Sequence, residues 1–281
     1  MKEKFSQFYR LTEEEFKTLW DEGLFVFDTN VLLNLYRYSR STTEKMIEIM
    51  KKLKEKDRIW IPYNVAYEYH QNRLNVIRDQ NQVYKNINDA IDTTKKTFIS
   101  EMENCHRHSF INIDEIRNII DECISDIKNK LDEAKKNQPN FRDDDTILET
   151  LNNLFKNSIG EQFEEAKYKE IIEEGKRRYK KEIPPGYKDK KEKDDRDCYD
   201  LLDERKFGDL IIWKQIIEKA KTHTEKQPII LVIDDAKSDW WWEISRGDTW
   251  GPRPELIKEI QSEAGILFYM YRTNSFFKVF Q

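Results

Sequence analysis

Short apolar runs alternate with helix-period segments at both ends of the chain. Leu24-Phe25-Val26-Phe27 ends in Asp28, and Ile59-Trp60-Ile61 is stopped by Pro62, a residue that cannot continue a central strand. Each run leads into a helical pattern, and strands alternating with helices predict parallel βα units. The middle of the chain, residues 72–182, repeats differently. Ile77, Tyr84, Ile87, Ile91, Phe98 and Met102 form one helical series, and Ile116, Ile120, Cys123, Ile127, Leu131 and Ala134 a second. Their spacings of 3, 4 and 7 match the helical period and not alternation. The polar stretch Glu103–Asn112 predicts a turn between them, and hence an antiparallel helical pair. Two shorter helical patterns follow near Ile147–Phe155 and Glu161–Arg178.

The β/α alternation then resumes. Gly208 and Asp209 open a helix with apolar positions at Leu210, Trp213, Ile216, Ile217 and Ala220. Pro228 leads into Ile229–Ile233, a continuous apolar run of the kind found in buried parallel strands, ending in Asp234-Asp235. Pro254–Ser262 reads as a helix and Gly265–Met270 as a last strand. The pattern is that of an α/β fold, a parallel sheet flanked by helices with a large α-helical insertion. Residues 1–75 and 183–281 are expected to form the α/β domain and 76–182 the insertion.

Composition narrows the class. The chain has 281 residues and a net charge of −5, and its 12% of aromatic residues argues against disorder despite 37% charged residues. Only 8 glycines occur, and no GxxxxGK[ST] or GxGxxG string is present, so a Gly-rich phosphate cradle is excluded as the main device. No apolar run approaches the ~18 residues of a membrane span, and the first residues, Met1-Lys2-Glu3-Lys4, lack the apolar core of a signal peptide. Three widely spaced cysteines, Cys105, Cys123 and Cys198, predict free thiols in a reducing, cytoplasmic setting. Cys105-His106-x-His108 with Cys123 fits no familiar zinc spacing and reads as a fortuitous loop.

The chemistry lies in the acids. Asp28 follows one strand run at once, and Asp234 and Asp235 follow another. Glu68 lies one helical turn past Asn64, and Asp209 sits in the first turn of its helix. Ligands of open parallel sheets bind beyond the carboxyl ends of the strands, near the point where strand order reverses. Each acid alone has an ordinary role. Asp28 can open a turn, Asp209 can cap a helix, and Glu68 can sit solvated on one. Together they predict crowded carboxylates, whose mutual repulsion raises their pKa unless a cation intervenes. An all-oxygen donor set without thiolate or imidazole suits Mg²⁺ or Mn²⁺, one ion or two.

The ordered set also carries a resemblance. Phe27-Asp28-Thr29-Asn30-Val31-Leu32-Leu33-Asn34-Leu35-Tyr36 resembles the opening strand motif of PIN-domain nucleases, and Glu68, Asp209 and Leu231–Asp235 follow in the family's order. More narrowly, residues 183–189 (IPPGYKD), 208–214 (GDLIIWK) and 239–242 (DWWW) resemble a bacterial PIN-like family with a long helical insertion. The resemblance covers most of the chain from about residue 20. It implies a Rossmann-like sheet and metal-dependent hydrolysis of RNA or of single-stranded or structured DNA, in roles such as phage defence, a toxin or RNA processing. By position, Asp28, Glu68, Asp209 and Asp235 would bind metal and perform catalysis. Asp234 is an ambiguous neighbour, Thr29 and Asn30 would support Asp28, and Asp239 is a further candidate ligand. Ile233 stands where many relatives carry Thr or Ser.

Substrate contacts are sought among basic and aromatic residues. Lys176–Lys193 holds nine basic residues against three acids, a local excess of six that leaves −11 on the remainder of the chain. Arg177, Arg178 and Lys188 in this stretch, and Arg253 further on, are candidates for phosphate contact; an ordinary solvated basic face is the competing reading. Trp240-Trp241-Trp242, with Trp250, could stack single-stranded bases, although packing accounts for most of the run. The helical insertion offers a cover, or a surface for a protein partner or a second copy. Two alternatives remain open. One is a non-catalytic scaffold of the same fold, binding nucleic acid or protein. The other is an aspartyl-phosphate phosphatase, which wants an acid two residues after its nucleophile, where this chain has Asn30.

Overall fold

A computed structural model describes residues 1–103, 111–189, 206–222, 226–235, 237–245 and 248–280. Met1–Asn72 and Leu148–Gln281 form one compact unit, and Arg73–Ile147 a second.

The first unit is built on a parallel sheet. β1 (Leu24–Phe27), β2 (Ile59–Trp60), β3 (Ile229–Ile233) and β6 (Phe268–Arg272) lie in the order β2-β1-β3-β6. All three pairings are parallel. Every residue of β1 and β3 is buried, as expected of apolar strands covered on both faces. The chain moves outward from β1 to β2 on one side and from β3 to β6 on the other, so the order reverses between β1 and β3. Phe27 pairs with Val232 there, and the Asp28 N–H donates to the Val232 carbonyl at 3.0 Å. The residues that leave β1 and β3 therefore emerge side by side at the crevice where ligands of such sheets bind.

Helices α1 (Glu13–Glu22), α2 (Thr29–Asn34) and α3 (Arg40–Glu55) precede β2, and α4 (Tyr63–Glu103) starts right after Pro62. α1 opens on a capping box in which Thr12 and Glu15 bond reciprocally. α5 (Ile113–Asn137), α6 (Thr146–Leu154) and α7 (Glu165–Lys180) follow, then α8 (Gly208–Thr222), α9 (Pro254–Ala264) and α10 (Thr273–Val279). β4 (Trp241–Ser245) and β5 (Asp248–Pro252) make a separate antiparallel ribbon. The last strand begins later than the apolar pattern predicts. Gly265 is at φ 68°, ending α9 in the left-handed conformation, and the strand starts only at Phe268.

Residues 148–182, expected within the insertion, belong to the first unit. Ile61 forms a parallel bridge with Ile159, which extends the β2 edge of the sheet. α7 is tied to the same unit by Arg178, which donates to both carboxylate oxygens of Glu259 at 2.8 and 2.6 Å. The second unit is the antiparallel helical pair. Lys95–Asp121, Asp92–Lys128 and Glu103–Arg117 join α4 to α5, and the residue numbers climb on one helix as they fall on the other. None of the residues of α5 is buried. The expected turn after Glu103 lies mostly outside the described residues, as do Cys105, His106, His108 and Cys198.

Candidate metal centre

Asp28 leaves β1 and caps α2, with its Oδ2 accepting from the Asn30 N–H at 3.2 Å. It is only 8% exposed. Burial pushes its carboxyl up to about 7, the neighbouring charge of Glu68 and a smaller push from Asp235 act in the same sense, and the N–H groups of Asn30 and Thr29 pull against them. A carboxylate held in this way takes up a proton near neutrality unless a cation replaces it.

Glu68 arrives from the second turn of α4. Its Oε2 accepts from the Thr29 hydroxyl and its Oε1 from the Asn64 amide, each at 2.9 Å. The Thr29 side chain, expected to support Asp28, thus turns to Glu68, and only the backbone N–H groups of residues 29 and 30 serve Asp28. A Cβ on Gly208 would lie 2.8 Å from Glu68 Oε1. The start of α8 therefore abuts Glu68, and a side chain at Gly208 would push the Glu68 carboxylate aside. Asp209 comes next in the chain. Its Oδ2 accepts from Trp240 Nε1 at 3.2 Å, and its Cβ would be 2.9 Å from a Cβ on Gly186, itself at φ 86°.

The two acids that follow β3 divide. Asp235 Oδ1 accepts the Lys237 N–H at 2.7 Å, and its Oδ2 is 3.5 Å from Lys237 Nζ. Asp234 turns to the end of α2, where the Asn34 amide donates to it. Asn34 is in turn held by Arg37 at 2.8 Å, and burial together with the charge of Asp234 raises the Tyr38 phenol. Asp28 thus feels the charge of both Glu68 and Asp235, while Asp209 accepts from Trp240 and Asp234 from Asn34.

Sequence reasoning passed over several residues of this group. Asn64, Asn34, Lys237, Trp240, Gly186 and Gly208 each touch one of the acids. Asn34 could have been found, since it closes the short helix that Asp28 begins. Glycines at 186 and 208 give no such signal, because their role is defined by partners distant in the chain.

Among the described residues, no three His, Cys, Asp or Glu side chains stand close enough together to hold an ion as they are placed. The donor chemistry nonetheless fits a hard cation. The acids supply only oxygen, and the central one is buried and forced toward protonation.

The other candidate residues are spread more widely. Asp239 is fully buried and accepts from the N–H groups of Gly186 and Lys188 at 3.1 and 3.2 Å, so it clamps the turn beside Asp209. Lys188 is exposed and its Nζ donates to Ser238. Arg177 is exposed as well. Arg178, a candidate for phosphate contact, is instead buried between Glu259, Glu174 and the Pro184 carbonyl. Arg253 is half-buried and forks onto Glu255 at 3.0 and 2.6 Å. Lys190, Lys191 and Lys193 lie outside the described residues. Trp240 and Trp241 are buried, in keeping with packing, whereas Trp250 is 37% exposed.

A family model described as "PIN like domain" matches residues 24–256, which takes in all five acids. No curated protein and no solved structure matches the chain.

Proposed function

The chain belongs to the PIN-like domain family, and from that premise we propose that it is a metal-dependent nuclease that hydrolyses phosphodiester bonds of RNA or of single-stranded or structured DNA. The observation that supports this most is the state of Asp28: buried at the switch point of the sheet and driven to a pKa of about 7 beside Glu68 and Asp235. In this reading Asp28, Glu68, Asp209 and Asp235 hold one or two Mg²⁺ or Mn²⁺ ions, with Asp234 as an adjoining donor. A bound ion supplies Lewis acidity to the scissile phosphate and lowers the pKa of its attacking water. The protein's own groups prepare for it. Thr29 and Asn64 fix both oxygens of Glu68, Lys237 neutralises Asp235 in the ion's absence, and the clamp of Asp239 on residues 186 and 188 holds the turn against Asp209. Loading requires Asp28 to give up its proton and Asp235 to turn away from Lys237. Phage-defence effector, toxin and RNA-processing enzyme are all roles that such chemistry serves.

The test is cleavage of labelled RNA and single-stranded DNA with Mn²⁺ by the wild-type and Asp28→Asn proteins. The reading expects cleavage by the first and none by the second; equal cleavage defeats it. A non-catalytic scaffold is the competing reading, favoured because, among the described residues, no three acids stand close enough together to hold an ion. Calorimetry decides between them, because a scaffold takes up no divalent ion. The second unit adds a surface of its own. Ile119, Phe98 and Ile127 are exposed on the helical pair, and such a stripe fits another amphipathic helical face, a second copy of the chain included.

A further inference from the structure

The Trp-rich ribbon does more than pack. Trp242 and Trp250 face each other across β4 and β5 with ring centroids 6.2 Å apart at 65°. With Tyr9, Phe16 and Tyr269 they line a cavity of about 290 Å³, and the Arg10 guanidinium lies over the Trp250 ring at 4.0 Å. That volume is at the low end for ligand pockets, which suits one flat ring better than a bulky metabolite. Arg10 itself covers that face of Trp250, so a base would enter against the other lining rings with the cation at the rim; every base offers a π-face and the cation adds attraction without reading sequence.

A second groove of about 450 Å³ shares Trp242 and Gln7 with the slot. Phe5, Phe8 and Lys258 line it, together with Arg253 and the Glu255 carboxylate that Arg253 holds. This groove leads back to the carboxylates through named residues. Arg253 is close enough to Tyr187 and Asp239 to feel their charges. Asp239 holds Gly186 and Lys188, and Gly186 lies against Asp209. The ribbon is anchored at the same place, with Trp241 Nε1 donating to the Asp235 carbonyl at 2.6 Å. Aromatic rings and a basic side chain lining one groove suit a single strand. A duplex, whose bases are stacked inward, cannot enter an aromatic slot of this size.

We infer that the groove from Lys258 to the Trp242–Trp250 slot binds single-stranded nucleic acid, with phosphates along Lys258 and Arg10 and one base in the slot against Trp242 and Trp250. This rests on the nuclease reading for its direction, since the groove is taken to lead the strand to or from the acids.

The experiment uses the full chain in EDTA, so that binding is read without cleavage. Fluorescence anisotropy is measured with labelled oligouridylate and oligothymidylate about 12 nucleotides long, and with a duplex of equal length. Trp250→Ala and Arg10→Ala should each weaken single-strand binding about tenfold and leave the weaker duplex binding unchanged. Trp250→Phe should restore most of the loss. Both residues are exposed, and thermal melts of each variant check that it folds. If Trp250→Ala and Arg10→Ala, folded, bind single strands as the wild type does, the inference is overturned. So it is if duplex and single strand lose affinity equally. The two readings fail separately. Absence of Mn²⁺-dependent cleavage alongside Trp250-dependent binding sinks the nuclease and keeps the groove; cleavage with unaltered binding does the reverse.

Discussion

Replacing Asp28 with Asn should make the ion-free protein more stable, not less. The folded state raises the carboxyl from 3.8 to about 7, whereas an unfolded chain leaves it near 3.9. Between those values the native state binds the proton more tightly, so stability falls as pH rises from about 4 to 7 and the full cost is present above pH 7. Below about pH 4 both states are protonated and the cost vanishes. Three pH units at about 1.4 kcal/mol each give ~4 kcal/mol. Asn keeps the oxygen that accepts the Asn30 N–H, so the cap survives, and loss of a charge at the helix start takes back at most about 1 kcal/mol. A net gain of ~3 kcal/mol at pH 8 corresponds to about 6 °C in a chain of this size. Thermal unfolding in EDTA at pH 5 and pH 8 reads it: the gap between variant and wild type should widen at pH 8. Saturating Mn²⁺ should raise the wild-type midpoint at pH 8 and leave the variant's unchanged. The reasoning fails if the two proteins lose stability in parallel as pH rises, or if the variant melts lower at pH 8.

Three further outcomes follow from the geometry. Glu259 is held at about 2: burial pushes it upward, and the paired hydrogen bonds from Arg178 overcome that. It therefore stabilises the fold above about pH 4 and loses that contribution as pH falls toward 2. Glu259→Gln, which leaves buried Arg178 with Glu174 and the Pro184 carbonyl as partners, should cost about 1–3 kcal/mol in urea unfolding at pH 7. Gly208→Ala puts a methyl 2.8 Å from Glu68 Oε1, the tip of a flexible side chain. Stability should change by less than about 1 kcal/mol, while Mn²⁺-dependent cleavage falls roughly ten- to a hundredfold. Gly186→Ala meets both a positive φ and the Tyr179 hydroxyl. It should lower stability by more than about 1 kcal/mol along with cleavage, and a folded variant with normal turnover would refute the role given to that turn.

What could be read from residue order was whatever local pattern determines. β1 and β3 are apolar throughout and end in acids, so both the strands and the switch-point position of Asp28, Asp234 and Asp235 were visible. The helical pair was visible for the same reason, since its periodicity is intact over many turns. The ribbon was not. Trp240-Trp241-Trp242 shows no alternation, and β4 is largely exposed past Trp242, so neither face carries an apolar stripe. α1 was overlooked although Thr12 and Glu15 spell its capping box. Arg178 shows the limit most clearly. Within a run of lysines and arginines it looks like surface, and only Glu259, distant in sequence, makes it part of the interior. The partners of the acids belong to the same class: Trp240 on Asp209 and Gly208 against Glu68 exist only after folding.

Anomalous diffraction from crystals grown with Mn²⁺ tests the central claim most directly. The account predicts a peak at the β1–β3 switch point, about 2.2 Å from carboxylate oxygens of Asp28 and Asp235, with Glu68 and Asp209 turned toward it and the Asp235–Lys237 pair broken. No peak there, or an ion bound elsewhere with Asp235 still on Lys237, would contradict it.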